Sequence, residues 1–179
     1  DSVAENQPAG TVVGTLSAAD QDAGDTLAYS LVAGEGDDDN SAFSIVGDAL
    51  QTAASFDYET KASYAVRVRV SDGQATLDKA LTVTILDAND APTALNLDAD
   101  SVAENQPSGV VIGTFSTQDE DAGDTHTYSL VAGEGDADNA AFSILGDELQ
   151  TAISFDYETK TDYTIRVRVD DGHATFEKA

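Results

Sequence analysis

Acidic residues recur in this chain at short, repeated spacings. Glu5-Asn6 returns as Glu104-Asn105, Asp20-Gln21-Asp22 as Asp119-Glu120-Asp121, and Asp57-Tyr58-Glu59 as Asp156-Tyr157-Glu158, while Asp72 and Asp171 each stand directly before a glycine. Between the copies lies Asp87-Ala88-Asn89-Asp90-Ala91-Pro92. Alternate residues of an extended segment point the same way, so each D-x-D or D-x-E aims two hard oxygens at one side. Two carboxylates ~5 Å apart repel by roughly 1–3 kcal/mol at effective dielectric constants of 80 to 20. Carboxylates that converge therefore need a cation. Calcium takes about six to eight oxygens at about 2.3–2.6 Å, a demand that loops meet better than helices.

Other chemistries fit these residues less well. Asp57 and Glu59 have the types of a glycosidase acid–base pair, but they recur in both copies beside no aromatic platform. Asp20 to Asp25 is not an EF-hand, because Gly24 falls one place early and Leu31 stands where the terminal Glu belongs. Asp37-Asp38-Asp39-Asn40 and Asp136-Ala137-Asp138-Asn139 are read either as a local ion site or as Gly-flanked turns held by Asx hydrogen bonds. His126 and His173 are unmatched between the copies and are expected at the surface. There is no nucleophile–base constellation, so the chain is not expected to be an enzyme.

Composition points the same way. The 34 acidic and 8 basic residues give a net charge of −26. That excludes nucleic acid and anionic membrane surfaces as partners, since both are polyanions. Asp outnumbers Glu by about 25 to 9 and clusters in loops, which a merely solvated face does not require. Cys is absent, so bound calcium rather than a disulfide is the available staple for a small exported domain. With no Met at position 1 and no signal or membrane-spanning run, the sequence reads as a piece of something longer.

The elements that must position these carboxylates are strands. Residues 1–80 return at an offset of 99, with about 58 of 80 aligned pairs identical. A period that long is a whole small domain rather than a solenoid unit. Tyr64, Val66, Val68 and Val70 alternate with Ala65, Arg67 and Arg69; Leu81, Val83 and Ile85 alternate with threonines. Such period-two runs are half-buried strands. Ser71-Asp72-Gly73-Gln74 and Val46-Gly47-Asp48-Ala49 read as hairpin turns. Further strands are expected at Thr11 to Ala18, Leu27 to Val32 and Leu95 to Val102. Arg67, Arg69, Arg166 and Arg168 are placed on an outer face near acidic neighbours, and the six tyrosines, all paired across the repeat, are placed in packing. The expected fold is all-β: two tandem seven-stranded Greek-key sandwiches of immunoglobulin-like architecture. Domain one covers 1–90 and domain two 91–179, with the joint at 87–92. Domain two lacks a counterpart of Leu81 to Pro92, hence most of its last strand; this is read as a boundary of the sequence rather than a gap filled by a neighbouring chain.

The ordered set A-E-N-x-P-x-G-T, D-x-D, Y-S-L, F-S-I, D-x-E, Y-x-x-x-V-x-V-x-D-G and D-x-N-D-x-P resembles cadherin repeats over nearly the whole chain. The Gly-Glu-Gly-Asp loops and near-identical copies resemble the cadherin-like repeats of large bacterial surface or secreted adhesins more than animal cadherins. The resemblance implies about three calcium ions at the joint. It assigns them Glu5, Asp57 and Glu59 from domain one; Asp87, Asn89 and Asp90 with the carbonyls of Ala88 and Ala91 from the joint; and Asp119, Asp121 and Asp171 from domain two. A backbone oxygen near Gly123 or Asp124 is a further candidate. Ala91 departs from the Asn usual in animal cadherins, at a position that ligates through its carbonyl. Asp20, Asp22 and Asp72, and at the other end Glu104, Asp156 and Glu158, are expected empty or weakly filled. The implied role is a calcium-dependent extender of a bacterial cell-surface or secreted adhesin, extracellular and monomeric, with neighbouring repeats of the same chain as its partners. The alternative is a module that recognises a polysaccharide or a like chain.

Overall fold

The computed structural model describes residues 1–22 and 24–179. It divides into two units, Asp1–Ala88 and Asn89–Ala179. Unit one contains β1 (Ser2–Ala4), β2 (Val12–Thr15), β3 (Ala28–Leu31), β4 (Phe43–Val46), β5 (Ala49–Thr52), β6 (Ser63–Ser71) and β7 (Thr76–Leu86). One sheet runs β1-β7-β6-β3 and the other β2-β5-β4. The longest ladder joins β6 to β7, from Ser63↔Thr84 to Ser71↔Thr76. Its turn is the expected one. Gly73 adopts φ 93°, a conformation open to glycine, and the Asp72 carboxylate accepts the amides of Gln74 and Ala75.

The alternation read from the sequence sorts the two faces. Val66, Val68, Val83 and Ile85 turn inward and join Val3, Phe43, Leu50 and Phe56 in one core. Phe43, Phe56 and Tyr64 form an aromatic trio with centroids 4.4–5.9 Å apart. Arg67 and Arg69 turn outward over Asp78. Arg69, directly opposite in register, makes a two-point contact of 2.6 and 2.9 Å, and Arg67 lies at 3.4 Å.

Unit two contains β8 (Ala94–Leu97), β9 (Val111–Gln118), β10 (Thr127–Leu130), β11 (Phe142–Leu145), β12 (Glu148–Thr151), β13 (Val167–Asp170) and β14 (Thr175–Lys178). Its sheets run β10-β13-β14 and β11-β12-β9-β8. The fold is the all-β pair of sandwiches expected. Leu95, Ile112, Phe115, Leu149, Val167 and Val169 form its core. Glu177 takes the place of Asp78 and pairs with both Arg166 and Arg168.

Two expected strands differ in extent, and the last strand is short as expected. The run from Leu95 to Val102 forms a strand only over Ala94–Leu97. There the Asp98 side chain accepts the Thr114 amide at 2.6 Å, a side-chain bond that replaces the ladder and ends it. β2 is shorter than the expected Thr11 to Ala18. Its counterpart β9 runs four residues further, to Gln118, because β8 pairs along it. β14 has four residues against eleven in β7.

The loops Asp37–Asn40 and Asp136–Asn139 are turns whose polar groups are committed. Asp37 accepts the Gly34 amide, Asp39 accepts the Ala65 amide and Lys61, and Asn40 bridges Val32 to Arg67. The second copy repeats every one of these bonds.

Two consequences can be measured. Leu50→Ala, at a site 1% exposed, costs about 2–5 kcal/mol of unit-one stability, seen as a lower urea midpoint. Arg69 and then Arg67 hold the Asp78 carboxyl below the ordinary aspartate range. Its folded value lies under the unfolded one, so the pair stabilises fully above about 3.9 and loses that contribution as pH falls through the folded value. The gap in urea midpoint between the protein and Asp78→Asn is therefore constant from about pH 5 to 8 and closes below about pH 4.

Candidate metal centre

The carboxylates divide into two sets, one on each unit. In unit one Glu5 follows β1 directly and is 0% exposed. Glutamate is almost never buried without partners, and here two backbone amides supply them: Tyr58 N at 2.6 Å and Ala88 N at 2.8 Å. One side chain thus ties the first strand to the D-x-E loop and to the last residue of the unit. In that loop Asp57 accepts the Thr60 amide and hydroxyl, both at 2.8 Å. The Thr60 amide, then its hydroxyl, keep the Asp57 carboxyl below its ordinary range. Glu59 and Asp87 are exposed, on the loop and just past β7.

In unit two the stretch Asn89–Asp90 is held by two other loops of the set. The Asp90 amide donates to Asp121 Oδ2 at 2.7 Å, and Asn89 Nδ2 reaches Asp171 Oδ2 at 3.3 Å. Asp171, 5% exposed, closes the β13–β14 turn by accepting the amides of His173 and Ala174. The Ala174 amide leads, with those of His173 and the Asn89 side chain, in keeping Asp171 ionised below the usual range. Asp119 accepts the Asp121 amide at 3.3 Å and contacts His126 Nε2 at 2.8 Å. The structure therefore gathers Asn89, Asp90, Asp119, Asp121 and Asp171 on one unit, and Glu5, Asp57, Asp87 and Ala88 with Glu59 on the other. Ala91 directly follows Asp90 and is exposed.

Asp124 was expected to contribute at most a backbone oxygen. Its carboxylate instead comes within 4.8 Å of Asp171 and His173, and its Oδ2 is buried with no hydrogen-bond partner. A buried anionic oxygen without a donor is costly unless a cation completes it. The two carboxylates of the group are hard oxygen donors of the kind calcium takes, while the His173 imidazole is a softer neighbour. The signal was present in the sequence, since Asp-Ala-Gly-Asp occurs in both copies. In unit one Asp25 and Asp72, the counterparts of Asp124 and Asp171, likewise approach within 4.8 Å of each other and of Asp20. His126 is also not a plain surface residue; its side chain is 19% exposed and packs on Asp119. At the other end of unit two, Glu104 accepts the Tyr157 amide at 3.0 Å, and Asp156 accepts the Glu158 amide and the Thr159 hydroxyl, a partial copy of the Glu5 arrangement.

The cadherin domain family model matches residues 2–86, nearly all of unit one. Human Protocadherin Fat 4 is 30% identical over 182 aligned positions, covering 97% of this chain and 4% of that protein. Human Protocadherin gamma-A7 is 30% identical over 182 positions, covering 95% of this chain and 19% of that protein. The chain thus spans under a fifth of the length of these relatives. Among solved structures, the Protocadherin GammaB4 extracellular domain matches with a TM-score of 0.67 at 26% identity, covering 99% of this chain and 29% of that one. Form II of human Protocadherin-24 EC1-2 matches with a TM-score of 0.74 at 23% identity, covering 99% and 87%, a likeness of fold. Both units have the cadherin-like sandwich.

The orphaned oxygen makes Asp124→Asn a variant whose effect changes sign with calcium. In chelator the uncompensated charge is gone and Tm rises by about 2–6 °C. In millimolar calcium the unsubstituted protein gains more than the variant and overtakes it. Differential scanning calorimetry in both conditions reads the two shifts.

Proposed function

We propose that the chain is a pair of consecutive cadherin-family repeats that bind calcium through the residues around 87–92 and act as a calcium-stiffened extender. One observation carries this reading. The amide of Ala88 is held by Glu5 of unit one, and two residues on, the amide of Asp90 is held by Asp121 of unit two. The same short stretch of backbone is therefore a member of both carboxylate sets.

In this reading Glu5, Asp57, Glu59, Asp87, Asp90, Asp119, Asp121 and Asp171 supply carboxylates. Asn89 and the carbonyls of Ala88 and Ala91 complete the shells, and Asp124 joins them. Without Asp124 the other eight carboxylates carry −8. About three calcium ions, the number the cadherin resemblance implies, reduce this to −2. Amide hydrogen bonds already fix the side chains of Glu5, Asp57 and Asp171 before metal arrives, so the ion has little left to order in these three ligands and acts on the joint itself. Extracellular calcium modules have dissociation constants of about 10⁻⁴–10⁻³ M. At a free concentration 100 times the constant, linkage adds ~2.7 kcal/mol per site. The role is structural rather than catalytic.

The proposed location is outside the cell. The Gly-Glu-Gly-Asp loops and near-identical copies favour a bacterial surface or secreted adhesin, although the relatives described above are human. A like-chain contact is the second reading. It is favoured by exposed Val12 and Val46 on the outer face of the β2-β5-β4 sheet and by their counterparts Val111 and Leu145 in unit two.

Calorimetric titration with calcium, run beside small-angle scattering, tests the proposal. Saturable binding accompanies a change from a flexible to a rigid scattering profile. Asp90→Ala weakens binding and leaves the profile flexible at calcium concentrations that stiffen the parent. A calcium-indifferent profile in the parent would remove the extender mechanism.

A further inference from the structure

Two of the differences between the copies are histidines. His126 stands where unit one has Leu27, and His173 where it has Gln74. Unit one has no histidine, and both imidazoles of the chain lie on the acidic set of unit two. His126 Nε2 contacts Asp119 at 2.8 Å. His173 sits in the β13–β14 turn, two residues after Asp171. One donor atom from each of Asp124, Asp171 and His173 lies within 4.8 Å of the other two.

The oxygens of this group are sparsely used. Asp124 Oδ2 is buried and meets no hydrogen-bond donor. Asp171 is 5% exposed. Its Oδ1 accepts the amides of His173 and Ala174, which leaves Oδ2 only the Asn89 side chain at 3.3 Å. The same amide bond from His173 fixes the turn that carries the imidazole. His173 itself is exposed, so its ring can rotate onto the two carboxylates without disturbing the core. Donors around a tetrahedral zinc ion, each at about 2.0–2.1 Å, stand about 3.3 Å from one another, a spacing that a small movement of this group reaches. A ring nitrogen is not a donor that calcium seeks, since calcium takes oxygen. Imidazole together with carboxylate suits zinc and its neighbours in the first transition row.

We propose that Asp124, Asp171 and His173 form a site for a transition-metal dication of the zinc class, with water completing a four-coordinate shell. Asp124 Oδ2 gains the cation that its burial calls for, and Asp171 enters already oriented by its amides. Unit one lacks the site, because Gln74 offers an amide where unit two offers a ring nitrogen. The site shares Asp124 and Asp171 with the calcium reading but does not depend on it. Where both ions are present they compete for these two side chains, so zinc acts in unit two as an antagonist of calcium.

The test is calorimetric titration of the full chain with zinc chloride in calcium-free buffer, followed in parallel by nuclear magnetic resonance of the histidine rings. The expected result is one saturable site standing clear of weak binding by the remaining carboxylates, with the His173 ring signals shifted by zinc and not by magnesium. His173→Gln, which installs the residue of unit one at an exposed position, weakens that site at least about tenfold, and so does Asp124→Asn. Cobalt in place of zinc gives the strong visible absorption of a four-coordinate ion in the parent and loses it in His173→Gln. Calcium added afterwards lowers the apparent zinc affinity. A chain that ignores calcium yet binds zinc through His173 supports this site and removes the calcium reading alone. Unchanged zinc affinity in His173→Gln would overturn the proposal, by reducing the metal to a counterion of the acidic surface. So would zinc that shifts only the His126 ring.

Discussion

Backbone amides hold most of the acidic set, and the rest of the arrangement depends on that. Asp57, Asp72 and Asp171 each accept two amide hydrogens, or an amide and a hydroxyl, from a turn whose conformation the same bonds stabilise, and Glu5 accepts one amide from each of two distant segments. At Asp57, Asp72 and Asp171 these bonds hold the carboxyl below the ordinary aspartate range, and a side chain bonded in this way is held in place among its neighbours. Repulsion that flexible side chains would relieve by swinging into water is instead stored in the turns. With −26 net charge and 8 basic residues, the chain has few internal cations to answer it. Its four arginines are spent on the outer sheet faces against Asp78 and Glu177.

The sandwiches were legible because each sheet has one wet face, so burial imprints a period of two on the sequence. Val66, Val68, Val83 and Ile85 needed nothing else, and the Asp-Gly turn after β6 followed from the φ that glycine allows. Strand ends were less legible because they depend on groups elsewhere in the chain. β8 stops where Asp98 captures an amide of β9, and β9 outlasts β2 because β8 runs beside it. Neither partner is visible in a local window.

For the acidic set, residue type and spacing were enough to name the loops but not the depth of each side chain. Glu5 shows this most clearly. Its burial depends on Tyr58 and Ala88, both far away in sequence. Asp124 is less legible, because the cadherin resemblance points to a backbone oxygen of its loop, while only the repeat of Asp-Ala-Gly-Asp marks its side chain. His126, lacking a twin, gave no pattern to read. The repeat also served as an internal control. The Asp39 and Asp138 loops make the same bonds twice, which identifies them as turns built from their own polar groups.

The pairing of β1 with β7 sets an order on synthesis. Val3 lies beside Ile85, so the first strand of unit one finds its neighbour only when almost the whole unit has left the ribosome. The β4–β5 hairpin and the β6–β7 hairpin close locally and early. β1 must wait, with Val3 and Glu5 still in water, until the final residues of β7 emerge. Closure of the unit therefore coincides with appearance of Asp87 and Ala88. Unit one completes its hydrophobic core and the carboxylate set around Glu5 in one event.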